Sequence, residues 1–300
     1  MSSRDVILTT VHRVGVAYAD TFLASLRRTG YDGKVVFFAS ALEAVVLERL
    51  RQNGVIVVPF QFRSKHVKQR LARLWPLCRL LFASRLPLAF KERLAHAVFH
   101  LFYRRHLLYL DYLRQHRQEY DRVFLTDCRD VFFQADPFAW NPAPGVHFFL
   151  EEETNKIGQC RHHIGWITSQ FGQAVFERMR HHTVACAGTT FGDTAAIMEY
   201  LSQMVEATMQ VLSLAEVAGD QGVHNYLLRE DRLPNVTIHE NRRGPVMTTG
   251  PMSAGNIRFS EQGLVVNDAG QVVNVLHQYD RHPELKRILL GQLRAVPPVK

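Results

Sequence analysis

Residues 120–138, YDRVFLTDCRDVFFQADPF, decide the fold. Residues 123–126 predict a buried strand that ends in two carboxylates, Asp127 and Asp130, before a further apolar run and an Asp-Pro turn. Carboxylates at the carboxyl end of a parallel strand lie where open α/β sheets bind ligands. Two of them with an arginine between suit a divalent cation that holds a phosphate. The alternative is a strand end with solvated acids and a helix cap.

The residues upstream alternate between strand and helix patterns. Predicted strands are residues 5–10, 34–39 and 54–59, and predicted helices are residues 14–28 and 43–52. This order and spacing are typical of a βαβαβ unit with a parallel sheet. The sequence contains no Gly-rich dinucleotide fingerprint, P-loop, HExxH or GxSxG motif. The pattern therefore indicates a nucleotide-type sheet without a Rossmann pyrophosphate loop.

The residues downstream continue the α/β pattern. Predicted strands are 146–150, 235–239, 263–267 and 272–276; predicted helices are 165–179, 193–208 and 220–229; residues 184–192, VACAGTTFG, predict a small-residue turn. We expect one α/β domain over residues 1–300, with a mostly parallel central sheet flanked by helices. We expect residues 141–300 to continue the sheet that residues 1–140 begin.

The positive charge is concentrated in residues 61–118, which hold thirteen Lys and Arg side chains against two acidic ones, in a chain of net charge +8. Such a segment attracts phosphates, nucleic acid or anionic lipid. We expect a helical insertion that Pro76 and Pro87 break into short helices, with a longer helix over residues 95–113. A basic amphipathic segment with aromatic residues can lie in a membrane interface. The alternative is an ordinary insertion with solvated arginines.

Bulk properties narrow the class of protein. Hydrophobic residues make up 47% and charged residues 21%, which predicts a sizeable core. There is no apolar run long enough for a spanning helix and no signal-peptide pattern, so we expect a cytoplasmic protein, with residues 61–118 as a candidate contact to the inner face of the membrane. The four cysteines form no CxxC pair, which argues against a zinc site or a disulfide framework.

Asp127, Asp130 and His277 each stand at or just after the end of a predicted strand. Since strand ends of a parallel sheet share one edge, we expect these three side chains to converge. Two carboxylates and an imidazole suit Mn²⁺ or Mg²⁺ when a substrate phosphate supplies further ligands. The alternative for His277 is a structural or surface histidine, since the chain has fifteen histidines.

Four blocks of the sequence resemble those of GT-A glycosyltransferases, in the family's usual order. LTDCRDVFFQADPF resembles the D-x-D metal segment, VACAGTTFG the acceptor-side loop, DQGVHNYLL the D-Q-x-x-x-N helix start, and VLHQYDRHPEL the C-terminal metal-binding histidine segment. The resemblance covers roughly residues 5–285, apart from the basic insertion. It implies a nucleotide-sugar-binding half over residues 1–140 and an acceptor-binding half over residues 141–300. Bacterial polysaccharide transferases of the O-antigen or capsule type are the nearest general type, with a looser likeness to glycogenin-like retaining enzymes.

This chain departs from the family pattern in two places. Its acids are spaced D-x-x-D, and counting back from the Asp-Pro turn puts Asp130 at the second aspartate position and Cys128 at the first. Asp130 is therefore the stronger metal ligand, and Asp127 binds either the metal, the ribose or a metal-bound water. In the small-residue loop, Cys186 stands where the family usually has Asn or Ser.

The resemblance implies a metal-dependent glycosyltransferase that moves a sugar from a nucleotide sugar, in the first instance a UDP-sugar, to a glycan or lipid-linked glycan in bacterial surface polysaccharide synthesis. It implies Mn²⁺ or Mg²⁺ on Asp127, Asp130 and His277. The implied nucleotide-sugar contacts are Thr10, His12, Arg13, Arg104, Asp127, Arg129 and Gly188. The implied catalytic residues are Asp220, Gln221 and Glu151. Asp220 is alternatively a helix N-cap, and Glu151 part of a solvated acid run.

Whether transfer inverts or retains the anomeric configuration stays open. Inversion needs a general base, for which Glu151, Glu152, Glu153 and Asp220 are candidates. Two rival functions also remain at this stage. A sugar-phosphate nucleotidyltransferase normally has a Gly-rich N-terminal loop with a basic residue, which residues 9–15 do not match. A basic lipid- or nucleic-acid-binding protein would have little need for acids and a histidine at strand ends, and we expect no nucleic-acid partner.

Overall fold

The computed structural model describes residues 4–62, 65–140, 142–214 and 219–295, with side chains outside 65–73 and 295. The strands are β1 (Asp5–His12), β2 (Lys34–Ser40), β3 (Ile56–Pro59), β4 (Arg122–Thr126), β5 (Val131–Phe133), β6 (Val146–Leu150), β7 (Ala185–Asp193), β8 (Val236–His239), β9 (Val246–Thr248), β10 (Arg258–Phe259), β11 (Val265–Val266) and β12 (Val275–His277). The helices are α1 (Val16–Arg27), α2 (Ala44–Gln52), α3 (Lys65–Ala83), α4 (Leu88–Val98), α5 (Leu101–Gln115), α6 (Arg161–Phe171), α7 (Gln173–Met179), α8 (Thr194–Gln210), α9 (Asp220–Arg229) and α10 (Pro283–Ala295).

A seven-stranded sheet in the order β3-β2-β1-β4-β7-β6-β8 forms the centre of the fold. Within it, β1 pairs in parallel with β2 and β4, β2 with β3, and β6 with β8; β7 is antiparallel to both of its neighbours. The predicted mixed α/β fold with a mostly parallel sheet is confirmed.

The strand order reverses at β1. The chain runs from β1 to β2 and β3 in one direction along the sheet, and then returns to place β4 on the other side of β1. In open α/β sheets, the crevice outside the carboxyl ends of two such strands is the usual ligand site. Residues at the ends of β1 and β4 therefore flank the expected binding crevice.

Alternation along β1 explains the two-sided core. Val6 and Leu8 point into the layer that contains α5 and α8, whereas Ile7 and Val11 point into the layer that contains α1 and α2. Val6, Ile7 and Leu8 are completely buried. A strand buried on both faces carries apolar residues at successive positions, which is what the sequence of β1 shows.

The small-residue segment 184–192 is not a turn, as the sequence predicted, but most of the central strand β7. Its small side chains leave room for α9, where Asn225 Oδ1 accepts from Ala185 N at 2.8 Å and its Nδ2 donates to Ala185 O at 2.9 Å. Thr189 and Thr190 are buried within the sheet. Packing between two helix layers thus favours extended backbone over the turn.

We predicted that the second half continues the main sheet, and β6, β7 and β8 do so, but the later strands do not. The strand β12 forms a separate three-stranded sheet, antiparallel to β5 and parallel to β9. Residues 263–267 contain β11, which pairs with β10. The strand β5, which follows the two aspartates, belongs to the small sheet and directly follows the main-sheet strand β4 in the chain. It therefore connects the small sheet to the main sheet.

Residues 61–118 are helical where described, but the helices divide differently from the prediction. Pro76 lies inside α3 and does not end it, whereas Pro87 directly precedes α4 as expected. The predicted helix 95–113 is split because Phe99 and His100 have extended backbone angles, with ψ of 136° and 161°. The predicted helix 165–179 is similarly split at Gly172, whose φ is 84°.

No helix among the described residues is both long and apolar enough to cross a bilayer.

Candidate functional site

Asp127, Asp130 and His277 come together beyond the carboxyl end of β4. Each offers a ligand atom, and these atoms all lie within 4.8 Å of one another. His277 Nε2 is 3.7 Å from Asp127 Oδ2 and 3.7 Å from Asp130 Oδ1. His277 and Asp130 are buried, and Asp127 is partly exposed. Among the described residues, no other group of this kind is found.

Strand pairing explains this convergence. The segment from Asp127 to Asp130 connects β4 directly to β5, so both acids lie in a short, fixed link. The strand β12 then pairs with β5 so that His277 lies opposite Val131, the residue after Asp130. The three residues were predicted to meet, but the reason is an antiparallel pairing in the small sheet and not a shared edge of one parallel sheet.

The donor atoms of this cluster fit a hard divalent cation. His277 Nε2 is buried and has no hydrogen-bond partner among the described residues, although two carboxylates face it. Its Nδ1 lies 3.2 Å from Cys186 Sγ and 3.5 Å from Thr248 Oγ1, which orients the ring. One imidazole and two carboxylates suit Mn²⁺ or Mg²⁺ when further oxygen ligands are available.

Gly188 on β7 forms the wall of the cluster. A Cβ atom at this position would lie 2.5 Å from His277 Cε1 and 2.9 Å from Asp127 Oδ2. The carbonyl of Gly188 also accepts a hydrogen bond from Asp127 N at 2.9 Å. Glycine is therefore required here, because the side chains of His277 and Asp127 approach this position closely. The predicted residue Gly188 thus lies beside the cluster.

Arg105 on α5 connects the cluster to α9. Its Nη1 donates to Asp127 Oδ1 at 2.6 Å, and its Nη2 donates to Ala187 O at 3.0 Å and lies 2.7 Å from Asp220 Oδ2. The sequence prediction chose its neighbour Arg104, which instead donates to Gln61 O at 2.7 Å, near the end of β3. Helical spacing was the signal that could have indicated Arg105. It precedes the buried Tyr109 by four positions and so lies on the same face of the helix.

The two acids that Arg105 contacts have opposite pKa shifts. Burial alone would raise the pKa of Asp127, but Arg105 and His277 together lower it to about 2. Burial raises the pKa of Asp220 to about 6 against the attraction of Arg105. Asp220 is 2% exposed and has no aqueous screening, whereas Asp127 reaches the crevice.

Asp220 is the first residue of α9 and does not cap it. The N-cap is Gly219, without a side-chain cap bond, so the helix-cap alternative for Asp220 was wrong. The next residue, Gln221, accepts from Ala187 N at 2.8 Å and donates to Glu151 Oε1 at 3.2 Å. Glu151 is buried, and burial raises its pKa. Of the three predicted catalytic residues, Gln221 thus contacts the backbone of Ala187 directly, and Glu151 is linked to it through Gln221. Asp220 is linked to Ala187 through Arg105.

The predicted nucleotide contacts at β1 lie on the other side of the crevice. Thr10 and His12 are in the last part of β1, and Arg13 follows it with a φ of 53°. The His12 ring packs edge-on against Phe62 at 5.1 Å. These residues flank the point where the strand order reverses.

Arg129 lies between the two aspartates in sequence but faces away from Asp127. Its Nη2 is 3.9 Å from Asp280 Oδ2, and its guanidinium lies 5.9 Å from the ring of Tyr18. The side chain is 53% exposed. Arg129 is therefore a rim residue, and Arg105 is the arginine that contacts Asp127 inside the site.

No protein-family model and no curated protein matches this chain. Among the solved structures that match this chain, two are similar over 97% of both chains at 14% sequence identity. One is a crystal structure of an active-site mutant of LgtC, with a TM-score of 0.49. The other is the galactosyltransferase LgtC in complex with donor and acceptor sugar analogs, with a TM-score of 0.45. At this identity and TM-score, the likeness does not establish a shared activity.

Proposed function

We propose that this chain is a metal-dependent glycosyltransferase with a GT-A-like fold, which moves a sugar from a nucleotide sugar to a glycan or lipid-linked glycan. One observation carries the proposal: Asp127, Asp130 and the unpartnered Nε2 of His277 converge at the carboxyl end of β4. This end flanks the reversal of strand order, where such sheets bind nucleotides. The division into a donor half and an acceptor half, and a role in surface polysaccharide synthesis, remain predictions.

Asp127, Asp130 and His277 would hold Mn²⁺ or Mg²⁺. When bound there, such a cation would neutralise negative charge that develops on a diphosphate leaving group. Arg105 fixes the direction of the Asp127 carboxylate through its 2.6 Å hydrogen bond. Gly188 keeps the space beside Asp127 and His277 clear of any side chain.

The nucleotide part of a UDP-sugar would lie along the carboxyl end of β1. Thr10, His12 and Arg13 are the proposed contacts there, with Arg129 at the rim. Burial and Arg13 lower the pKa of His12, so its ring is neutral at pH 7 and can donate or accept one hydrogen bond. Arg104 donates a hydrogen bond to Gln61 O, so it would contact only a nucleotide sugar that extends toward the end of β3.

The transferred sugar would lie between the cluster and α9. Asp220 and Gln221 are held there by Arg105 and by Ala187 N, so they can position sugar hydroxyls. Glu151 has a raised pKa and lies next to Gln221, which suits a proton acceptor if transfer inverts the anomeric centre. A retaining mechanism with front-face attack would not use Glu151 as a base.

Hydrolysis of nucleotide sugars tests the proposal. We expect slow release of the nucleoside diphosphate from one member of a nucleotide-sugar panel with Mn²⁺, and none with a chelator. The D130N variant should lose at least about 100-fold of this rate, and the matched control D231N, an exposed acid after α9, should keep it. Turnover that survives chelation would contradict the metal site. Failure to bind or hydrolyse any nucleotide sugar would contradict the transferase.

We also propose that α3 and α4 contact an anionic membrane surface. Trp75, Cys78 and Phe82 bury one face of α3 against the body of the protein, and Trp75 Nε1 donates to Val211 O at 3.0 Å. The large apolar side chains exposed on α3, α4 and the turn between them are Leu74, Leu77, Leu80, Leu86, Leu88 and Phe90. Arg79, Arg85, Lys91 and Arg93 lie among them. Apolar and cationic side chains together match an anionic lipid surface.

Flotation with vesicles tests this contact. The wild-type protein should float with phosphatidylserine-containing vesicles at low salt and less at high salt, because salt screens charge attraction. The L77S/F90S variant should float several-fold less. The control V45S removes an apolar side chain of similar exposure from α2, 54% against 56% for Leu77, and should float like wild type. Equal flotation of all three proteins would contradict the proposed face.

A further inference from the structure

A polar cleft opens beside the proposed transfer site, at the carboxyl ends of β6 and β8. It has a volume of about 330 Å³. Its main lining residues are Glu151, Glu152, Glu153, Lys156, Arg242 and Asp268. This volume is at the lower end of the range of about 300–1,000 Å³ for ligand pockets. We call it the Glu152 cleft.

Glu152 is buried in the wall of the cleft with only part of its hydrogen-bonding capacity used. The residue is 5% exposed, and its Oε2 has no hydrogen-bond partner among the described residues. Its Oε1 lies 3.5 Å from Arg242 Nε, which is beyond an ordinary hydrogen bond. A buried carboxylate oxygen without a donor is costly, so a ligand that supplies a donor at this point would be favoured.

Arg242 is held only loosely by its own acidic neighbours. Its Nε is 3.5 Å from Glu152 Oε1 and 3.8 Å from Asp268 Oδ2, and its side chain is 34% exposed. Lys156 also lines the cleft, and its Nζ donates to Thr183 Oγ1 at 2.9 Å. The cleft therefore presents a carboxylate acceptor and a guanidinium donor at the same place, which suits neighbouring hydroxyl groups of a sugar ring.

Charge further limits the ligand. Five carboxylates line the cleft against three cationic side chains. An excess of negative charge in a partly enclosed site disfavours phosphates and acidic sugars. It favours groups that donate hydrogen bonds, such as the hydroxyls of a neutral sugar.

The Glu152 cleft is joined to the transfer site through Glu151. Glu151 lines the cleft, and its Oε1 accepts from Gln221, which itself binds the backbone of Ala187 beside the metal cluster. A sugar bound at Glu152 would thus be adjacent to one bound at Gln221. We propose that the Glu152 cleft binds a neutral sugar residue of the acceptor glycan, with Glu152 Oε2 as a specificity-determining acceptor; this rests on the proposed glycosyltransferase function.

Saturation-transfer NMR and titration calorimetry with small saccharides test the inference. The probes are four neutral disaccharides, namely lactose, maltose, cellobiose and N,N′-diacetylchitobiose. Glucuronic acid and glucose 6-phosphate are the anionic comparisons, and UDP and Mn²⁺ are present throughout. We expect wild type to bind at least one neutral disaccharide more tightly than either anion. The E152A variant should bind it at least about ten-fold more weakly, and E152Q should fall between the two. The control E261Q changes an exposed glutamate in the turn between β10 and β11 and should match wild type.

Thermal unfolding checks that each variant is folded, and E152Q supplies the comparison if E152A is not. Equal binding by wild type and the Glu152 variants, or a preference for the anionic sugars, would overturn the inference. If no neutral disaccharide binds while a nucleotide sugar is hydrolysed, the cleft assignment fails and the glycosyltransferase stands. If disaccharides bind through Glu152 but no nucleotide sugar is bound or hydrolysed, the cleft stands and the glycosyltransferase fails.

Discussion

Arg105 Nη1 donates a 2.6 Å hydrogen bond to Asp127 Oδ1, joining α5 to the segment that follows β4. The same guanidinium lies 2.7 Å from Asp220 on α9, so one cation fixes two acids from distant parts of the chain. Its side chain is only 12% exposed. Arg105 therefore holds the two sides of the proposed site at a fixed distance.

Replacement of Arg105 by alanine should lower both stability and activity. Asp220 would remain buried without its counter-charge, which typically costs about 3–5 kcal/mol of unfolding free energy. Urea unfolding measures this cost, and the control R117A, an exposed arginine just after α5, should change the unfolding free energy by less than about 0.5 kcal/mol. An R105A protein as stable as R117A would show that the ion pairs do not form.

Gly188→Ala should impair the site with a limited effect on the fold. Its Cβ would lie 2.5 Å from the His277 ring, so the imidazole must move away from the two acids. We expect at least about a 100-fold loss of donor hydrolysis and a destabilisation of about 1–3 kcal/mol. A Cβ at Gly165 on α6 would have no atom within 4 Å, so G165A should be neutral or slightly stabilising. Full activity of G188A would contradict the close approach.

Mn²⁺ should raise the melting temperature of the protein through the three ligand residues. A ligand that binds only the folded state stabilises it by an amount that grows with the ratio of its concentration to its Kd. H277A and D130N should each weaken Mn²⁺ binding at least about ten-fold in calorimetry and reduce the thermal shift. H181A, which removes an exposed histidine after α7, is the matched control. An unchanged thermal shift in H277A would remove His277 from the ligand set.

Stability should fall in mild acid because of His224. This ring is completely buried, its Nδ1 is 2.8 Å from Tyr200 Oη, and burial followed by Arg105 and Arg229 lowers its pKa to about 3. The folded pKa is below the unfolded value of about 6.5, so stability is complete above about pH 6.5 and decreases as the pH falls toward 3. The slope for one such group is about 1.4 kcal/mol per pH unit.

Urea unfolding at pH 7 and pH 5 measures the contribution of His224. H224Q should lose about 2 kcal/mol less than wild type between these two pH values, whatever its stability at pH 7. H181Q changes an exposed histidine and should keep the wild-type difference. Equal pH dependence in H224Q and wild type would mean that His224 is protonated as easily in the folded protein as in the unfolded chain.

Local patterns predicted the parts of the fold that depend on buried runs and on spacing. The strands β1, β2, β4 and β6 were predicted within two residues at each end, because apolar runs buried on both faces are distinct in sequence. The strand β7 was missed because Ala, Cys and Gly have weak strand preference, and only packing against α9 makes them extended. Pro76 was expected to end a helix, but the tertiary contacts of Trp75 and Phe82 keep α3 continuous around it.

The candidate site was predictable where one short segment carries several residues. Asp127, Asp130 and His277 were each found at or just after the end of a predicted strand, and all three meet. Helical spacing places Arg105 on the buried face of α5, but it does not show that this side chain meets two acids far along the chain, Asp127 and Asp220. Long-range pairing of buried charges is a property of the folded arrangement and not of local periodicity.

The late position of His277 in the chain has a consequence for synthesis of the protein on the ribosome. The strands of the main sheet, β1 to β4 and β6 to β8, all precede β12 in the chain, so they can pair before His277 is made. The strand β12 is added afterwards by pairing with β5. A nascent or prematurely terminated polypeptide that ends before β12 would thus contain the residues of all seven strands and both aspartates while lacking the imidazole. We therefore expect the proposed metal site to be completed late in translation, after the strands of the main sheet have been made.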